Sequence, residues 1–314
     1  MLRKYLTIAG SLIFVLPGAV HATEGAMGRP ITAQQITSNA GIVPPQPGWG
    51  VSVQSIYFDG DMGASRSVPI AGEISAGIKV KASYTIANVT RIWDTGPGQW
   101  NFASSIGVPL QYVKAQTTLQ AGSMASGSSD STTGIADILV TPIIAGFHFS
   151  ETEHMSMSLP IYTPSASYDP KRVANDGQNT WTFMPTVAYT RLGKDGSEFT
   201  ALGMLQFYTR NKDTDYRNAP LLITEALWTA RVAKDTNLGV VGGLIYQLGD
   251  DKGALADRLN GFRGSAVGLG PIISWSGKIG SHPGSASARA VWDIDTKDRP
   301  KGYSIGVSLS LLFM

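Results

Sequence analysis

The sequence predicts an all-β fold, a transmembrane antiparallel β-barrel of about twelve strands with short periplasmic turns and long extracellular loops. Three observations lead to it: the pattern of the last residues, the low charge content, and the alternation of short and long connections. In residues 302–314 apolar side chains occupy one parity and small polar ones the other, and Tyr303 and Phe313 end the apolar face. Such alternation over roughly ten residues is typical of a strand that crosses an outer membrane.

The composition indicates a protein whose outer surface lies partly in lipid. Charged residues make up 15% of the chain, and there are 36 glycines, whereas soluble domains carry about 25% charged residues. No run of about 18 apolar residues occurs, which excludes a helical membrane span. The absence of cysteine excludes disulfides, thiolate catalysis and cysteine-ligated metal.

Residues 1–22 have the pattern of a secretory signal peptide. Arg3 and Lys4 precede a mostly apolar stretch, Pro17 breaks it, and residues 20–22 form a cleavage site. The alternative is a buried N-terminal helix. Two of the 25 Lys and Arg residues leave with this segment, so the remainder balances the 23 Asp and Glu residues. A balanced charge predicts no nucleic-acid partner.

Residues 23–48 are polar and rich in glycine and proline, and their pattern fits neither a strand nor a helix. They are predicted to be either a periplasmic leader or a segment folded into the barrel lumen as a plug. No domain boundary follows them, so residues 49–314 are assigned to the transmembrane barrel.

From Trp49 onward strand-like segments recur, and twelve are predicted. The clearest internal one is bracketed by Trp100 and Tyr112, as expected for the aromatic girdles of a barrel. In the second strand the apolar residues take one face, and Lys79 and Lys81 take the other. The predicted strands are 49–57, 73–92, 100–112, 134–150, 154–162, 178–192, 198–210, 221–233, 237–249, 262–277, 286–293 and 302–314.

The connections are sorted by parity. Those after even-numbered strands are short, and Lys194-Asp195-Gly196 has the chemistry of a tight turn. Those after odd-numbered strands are mostly longer and polar, as in 117–133, 163–177 and 250–261. This sorting matches the periplasmic and extracellular ends of a bacterial barrel, and a soluble sandwich gives no reason for it.

Histidine provides the main candidate for catalysis or metal binding. His148 and His154 flank a short turn that carries Glu151 and Glu153, which suits either a metal or acid–base site or a solvated hairpin turn. Outer-membrane lipid hydrolases need a serine, a histidine and an acid brought together, and no histidine here lies mid-strand beside a serine and an acid. The sequence therefore predicts no enzyme, no cofactor and no metal.

Two groups of residues are predicted to face the lumen. Charged residues within strands are costly in hydrocarbon; in the lumen they would position a plug or a polar group of a solute, or only pair with one another. Several strands are apolar on both faces, which favours a partly apolar lumen suited to an apolar solute, or an apolar contact between plug and wall. The apolar candidates are Leu139, Ile143, Phe147, Met184, Ile223 and Leu227, and the charged ones are Lys79, Lys81, Asp137, Glu225, Arg231 and Arg289.

Several stretches carry a family resemblance over nearly the whole chain after the signal peptide. They are GRPIT (28–32) with IVPP (42–45), WDTGPGQWNFA (93–103), GIADIL (134–139) with Pro142, and YDP (168–170) before NTW (179–181). They resemble the outer-membrane protein family of the MetA pathway of phenol degradation. The resemblance implies a transmembrane barrel associated with import of hydrophobic compounds, and it supplies no catalytic residues.

These features together predict a channel or transporter in the outer membrane of a Gram-negative bacterium. It would take up small hydrophobic compounds, aromatic ones included, by passive passage. The expected partners are outer-membrane lipid, the solute and the barrel-assembly machinery. Two alternatives belong to other classes: an outer-membrane lipid-modifying enzyme, and a structural or adhesive barrel.

Overall fold

The computed structural model describes residues 29–70, 73–96, 98–121, 124–259 and 261–314, with side chains left out at 64–76 and 118–126. The predicted signal peptide, 1–22, and the first residues of the predicted leader or plug, 23–28, lie outside the described residues. Within them the chain forms fifteen strand segments and one short helix. The segments are β1 (Gly48–Ile70), β2 (Glu73–Ile92), β3 (Trp100–Ala121), β4 (Met124–Ile135), β5 (Leu139–His148), β6 (Glu153–Ser158), β7 (Ile161–Tyr162), β8 (Thr182–Phe183), β9 (Thr186–Leu192), β10 (Glu198–Tyr208), β11 (Leu221–Ala233), β12 (Thr236–Gln247), α1 (Ala254–Arg258), β13 (Ser265–Ile279), β14 (His282–Lys297) and β15 (Lys301–Phe313).

The segments form one closed antiparallel barrel. Three pairs of segments, β4 with β5, β6 with β7 and β8 with β9, are single strands interrupted in the middle, so the wall is crossed twelve times. The first and last strands close it, with register partners from Trp49↔Phe313 to Asp61↔Lys301. Closure removes the unpaired strand edges that lipid does not tolerate. The prediction of a twelve-stranded antiparallel barrel is confirmed.

Alternation along the strands separates a lipid face from a lumen face. On β15, Ile305, Val307 and Leu309 point outward and are exposed, whereas Ser304 on the other face is buried. The outward face carries aromatics near both membrane boundaries, among them Tyr303 and Phe313 on the same strand. An apolar band with aromatic ends is typical of outer-membrane barrels. The predicted location, the bacterial outer membrane, is confirmed. No helix in the described part of the chain is long and apolar enough to span a membrane.

Three neighbouring strands are interrupted at similar positions along the wall. The breaks lie at residues 136–138, 159–160 and 184–185. Pro160 and Pro185 occupy two of them, and proline has no N–H to donate to the ladder. Their carbonyls still accept hydrogen bonds, from Met184 N at 2.9 Å and Leu205 N at 3.1 Å. The wall is therefore continuous but irregular across these strands.

The connections follow the predicted sorting in part. At the periplasmic end the turns are short, including 193–197, 234–235 and 280–281, and at the extracellular end 163–181, 209–220 and 248–264 are long. The predicted loop 117–133 is wrong, because β3 and β4 continue as a ladder as far as Ala121↔Met124. The polar composition of this stretch predicts a loop, although the backbone of residues 124–133 pairs regularly with β3 along the extracellular extension of the barrel.

Candidate functional site

Residues 29–47, here called the leader, lie inside the barrel. Gln54 on β1 and Thr190 on β9 both bond to it, as does Ser304 on β15. Further partners lie on β6, β8, β10, β11 and β14. One chain segment reaches strands on all sides of a closed barrel only from its interior.

Glu225 and Arg289 hold the middle of the leader by its backbone. One carboxylate oxygen of Glu225, Oε2, accepts hydrogen bonds from the N–H groups of Gln35 at 2.9 Å and Ile36 at 2.8 Å. Arg289 Nη1 donates to the carbonyl oxygens of Ala33 at 3.1 Å and Ile36 at 2.6 Å. Both side chains are buried, so these charge-assisted bonds satisfy irregular backbone where water is scarce. We call this pair the leader latch.

Glycines in the wall make room for the leader. A Cβ atom on Gly243 of β12 would lie 3.0 Å from Ala33 N. At Gly268 of β13 it would lie 3.0 Å from a methyl carbon of Thr32, and at Gly146 of β5 it would overlap the side chain of Val43. Any larger residue at these inward positions would push the leader away from the wall.

Two arginines fix the N-terminal end of the leader. Arg29 Nη2 forms an ion pair with buried Asp137 at 2.7 Å, and its guanidinium lies over the ring of Tyr162 at 4.3 Å. Arg299, in the connection between β14 and β15, donates to the carbonyl of Pro30 at 2.9 Å. Burial lowers the pKa of the Arg299 guanidinium from its ordinary value, and nearby Tyr208 and Asp293 oppose that shift.

A cavity of about 370 Å³ lies between the leader and the inner faces of β1, β2 and β3. Tyr84 and Tyr162 stand in its lining with their hydroxyl oxygens 3.0 Å apart. Gln111 closes one side by donating to the carbonyls of Asn175 and Asp176, both at 2.9 Å. The cavity also reaches the interrupted strands through Leu139, Pro160 and Met184. Its apolar lining includes Ile56, Phe58, Val80, Ala82, Ile86, Val113, Leu139, Met184 and Met204, and its polar lining includes Gln34, Gln54, Asn88 and Gln178 with the charged side chains of Arg29, Asp176, Asp293 and Arg299.

An apolar cluster lies beside the cavity toward the extracellular side. Val80 and Ala115 on the wall pack with Phe262 from the loop 248–264, and Val173 from the loop 163–181 joins them. Phe58, Val80 and Ala82 belong to both this cluster and the cavity lining. The cavity is therefore covered from outside by apolar side chains contributed by two long loops.

Eight of the twelve predicted path residues have inward-facing positions. Asp137 binds the leader, Leu139 and Met184 line the cavity, and Glu225 and Arg289 form the latch. The other three face the lumen away from the cavity. Ile223 and Leu227 lie in a buried cluster with Ala33 and Ile36 of the leader. Arg231 lines a polar recess at the periplasmic end.

Four predicted path residues lie on the outer face, and these assignments are corrected. Ile143 is 50% exposed, and Phe147 packs against outward Trp100 with ring centroids 4.9 Å apart. Ala103 pairs with Ile144 and Ser105 pairs with Thr141, so two steps along β3 correspond to three steps along β5. The extra residue is a bulge at Pro142 and Ile143, and it reverses which β5 side chains face the lumen. Leu139 therefore points inward and Phe147 outward.

Lys79 and Lys81 also lie on the outer face. Lys81 pairs with Asp59 at 3.0 Å, and Asp59 shares its face of β1 with Tyr57, which packs against Tyr303 on the lipid side. The inward positions of this stretch of β2 are held by buried Val80 and its neighbours. Polarity misled the assignment here because this part of the strand lies beyond the apolar band.

Within the described residues, the side-chain hydrogen bonds of the histidine pair join the two rings to each other and to Asn101. His148 Nδ1 lies 2.6 Å from His154 Nδ1, and His148 Nε2 lies 2.8 Å from Asn101 Oδ1. Both ring nitrogens of His148 are thus engaged. In the described part of the chain no group of three or more His, Asp or Glu side chains is arranged to hold a metal.

Several site residues are not among the lumen candidates that the sequence predicts. Arg29, Gln34, Tyr84, Tyr162 and Arg299 define the cavity or fix the leader, yet only Arg29 falls in a stretch that stood out, GRPIT. The alternation of the second strand puts Tyr84 on its apolar face, which is the inward face. That parity was the available signal for the wall of the cavity.

The family model "Putative MetA-pathway of phenol degradation" matches residues 61–309. The chain belongs to this family. An outer-membrane channel from Pseudomonas putida F1 has a similar structure, with a TM-score of 0.70 at 12% identity over 89% of this chain and 100% of that chain. A Pseudomonas aeruginosa FadL homologue gives a TM-score of 0.42 at 8% identity over 92% and 99%. No curated protein matches the chain.

Proposed function

We propose that this protein is an outer-membrane channel for passive uptake of small hydrophobic compounds, aromatic ones included, and that the cavity beside the leader binds the solute on its way. The observation that carries this proposal is the cavity itself. Its lining combines apolar side chains with hydroxyl, amide and charged groups, and an apolar lining with placed polar groups is the usual make-up of a small-molecule site. A volume of about 370 Å³ suits a small ring compound rather than a chain or a sugar polymer.

The partners of this function are the solute, the lipid around the barrel and the barrel-assembly machinery that inserts it. The membership in a family described by phenol degradation supports an aromatic solute. The likeness to an outer-membrane channel supports the same architecture, a lumen inside a twelve-stranded wall.

Residues 29–47 act as a plug in this proposal. They fill the lumen from the latch down to the periplasmic end, where Gly41 N bonds to Thr190 Oγ1 at 2.9 Å. A solute in the cavity reaches the periplasm only when this segment shifts. The leader therefore makes solute binding in the cavity and solute release into the periplasm two separate steps.

The test uses two tryptophan variants of the same strand. Ala82 lines the cavity, and Ala87 is exposed on the lipid face of β2. Ala82→Trp places an indole in the cavity and should reduce uptake of a labelled aromatic compound by a strain lacking the native gene. Ala87→Trp adds the same group to the lipid face and should leave uptake unchanged.

Assembly of both variants is checked by the shift in gel migration between heated and unheated samples. Uptake that is equal in the deletion strain and the wild type would refute the channel. Full uptake by an assembled Ala82→Trp variant would refute the cavity as the path.

The two alternative classes make different predictions. A lipid-modifying enzyme would require lipid turnover by the purified protein that is lost in His148→Gln. A structural barrel would bind through its extracellular loops and pass no solute. The engaged ring nitrogens of His148 favour the channel over the enzyme.

A further inference from the structure

Lysines are concentrated on the outer wall just beyond the extracellular aromatic girdle. Tyr57 on β1 and Tyr112 on β3 lie in one row of the outer face, because both are register partners of Ser83 on β2. Two residues further along the same strands, the next row contains Lys81 and Lys114. Two residues of strand span roughly 7 Å, so these lysines lie at the level of lipid headgroups.

The row beyond adds two more basic side chains. Lys79 on β2 and Lys301 on β15 are the register partners of Asp61 on either side of β1, and both lysines are exposed. We call Lys79, Lys81, Lys114 and Lys301 the lysine patch. Asp59 and Asp61 lie within it, so the patch retains an excess of two positive charges.

The register gives the patch an unfavourable arrangement in the absence of an anion. Lys81 and Lys114 are directly opposite each other on neighbouring strands and share the outer face. Like charges directly opposite one another destabilise a strand pair. Asp59 contacts Lys81 at 3.0 Å from the other side, and the register neighbours of Lys114 are Lys81 and Ser131, so no carboxylate lies directly opposite Lys114. An anion bound between the two would remove this repulsion.

We propose that the lysine patch binds the phosphate groups of a phosphorylated glycolipid of the outer leaflet, with lipid A as the representative ligand. The phosphates of such a lipid stand at the depth of the patch while its acyl chains run down the apolar band below Tyr57 and Tyr112. Lysine ammonium groups bind phosphate as compact charges with rotatable donors. The continuity of the patch with the apolar band selects a membrane lipid over a soluble anion.

Binding of lipid A to the purified full-length barrel in detergent tests the proposal. The test variant replaces Lys79, Lys81 and Lys114 with glutamine, which removes the charge and retains a flexible polar side chain. The control variant replaces Lys171, Lys212 and Lys252, exposed lysines of the extracellular loops, in the same way. Both variants lose three positive charges.

Each basic residue near a charged lipid surface contributes roughly a fivefold gain in binding, so the test variant should bind lipid A about a hundredfold more weakly. The loop control should bind like the wild type. Lipid A stripped of its phosphates should bind the wild type as weakly as lipid A binds the test variant, and added salt should weaken wild-type binding.

Equal affinity of the test variant and the wild type would overturn the proposal, as would equal binding of the dephosphorylated lipid. If inorganic phosphate bound as tightly as lipid A, the patch would be a simple anion site, and the assignment of a lipid ligand would be overturned. Folding is verified by the heat-dependent gel shift, and Lys114→Gln alone replaces the triple variant if that variant does not assemble.

Discussion

Replacing Arg289 with glutamine should loosen the leader inside the barrel. Arg289 Nη1 makes two hydrogen bonds to leader carbonyls, at 3.1 and 2.6 Å. Bonds from a charged donor contribute roughly 1.5–3 kcal/mol each. The variant also removes the cation that interacts with buried Glu225. A neutral glutamine retains part of one bond, so we expect the leader-bound state to lose about 3 kcal/mol relative to the displaced state.

A loss of about 3 kcal/mol raises the displaced fraction roughly 150-fold. The absence of cysteine in the chain makes this measurable with one introduced thiol. Ser38→Cys is close to isosteric, and the Ser38 hydroxyl oxygen is buried in the leader. When opening is fast relative to labelling, the rate of thiol modification is proportional to the displaced fraction. The rate should therefore rise by about two orders of magnitude in Arg289→Gln.

Arg191→Gln is the matched control. Arg191 points outward from β9, with its side chain 67% exposed, and it pairs with Glu153 at 3.5 Å. Labelling of Ser38→Cys should keep the wild-type rate in this background. An unchanged rate in an assembled Arg289→Gln protein, or an equal increase in both arginine variants, would refute the latch.

Three further predictions concern the wall, the orientation and the assembly. Gly243→Val should displace the leader and raise single-channel conductance in a planar bilayer, because its Cβ would crowd Ala33 N, whereas Gly203→Val has open space around it and should conduct like the wild type; equal conductance would contradict the role of Gly243. An epitope inserted at Lys212 should be reached by antibody on intact cells and one at Asp195 should not, and the reverse pattern would overturn the orientation. Detergent-purified protein should migrate differently before and after heating, and identical migration would argue against a closed barrel.

The barrel could be predicted from the sequence because its wall imposes a simple period. Every strand must present one face to lipid, and that requirement appears directly as alternation, as in Ile305, Val307 and Leu309. Strand ends were harder to place, because β3 and β4 continue beyond the membrane as a ladder of small polar residues. In water such residues suit a strand and a loop equally well.

The face of a residue could be predicted only where the alternation was unbroken and the strand lay in the membrane. The bulge at Pro142 and Ile143 adds one residue to β5, and counting from Leu139 then places Phe147 on the wrong side. For Lys79 and Lys81 the count was right and the inference from polarity was wrong. Beyond the aromatic girdle a charged side chain on the outer face meets headgroups or water, so its charge no longer identifies the lumen.

The position of the leader can be inferred from the wall residues that bind it more readily than from the sequence of the leader itself. Residues 29–47 have no period, since irregular backbone follows neither a helix nor a strand. Such a segment carries N–H and C=O groups that no ladder satisfies, and inside a barrel they must find side chains of the wall. Glu225 and Arg289, buried on the inner faces of β11 and β14, supply an acceptor and a donor where the leader passes. Isolated inward charges in barrel strands thus indicate that unpaired backbone crosses the lumen at their level.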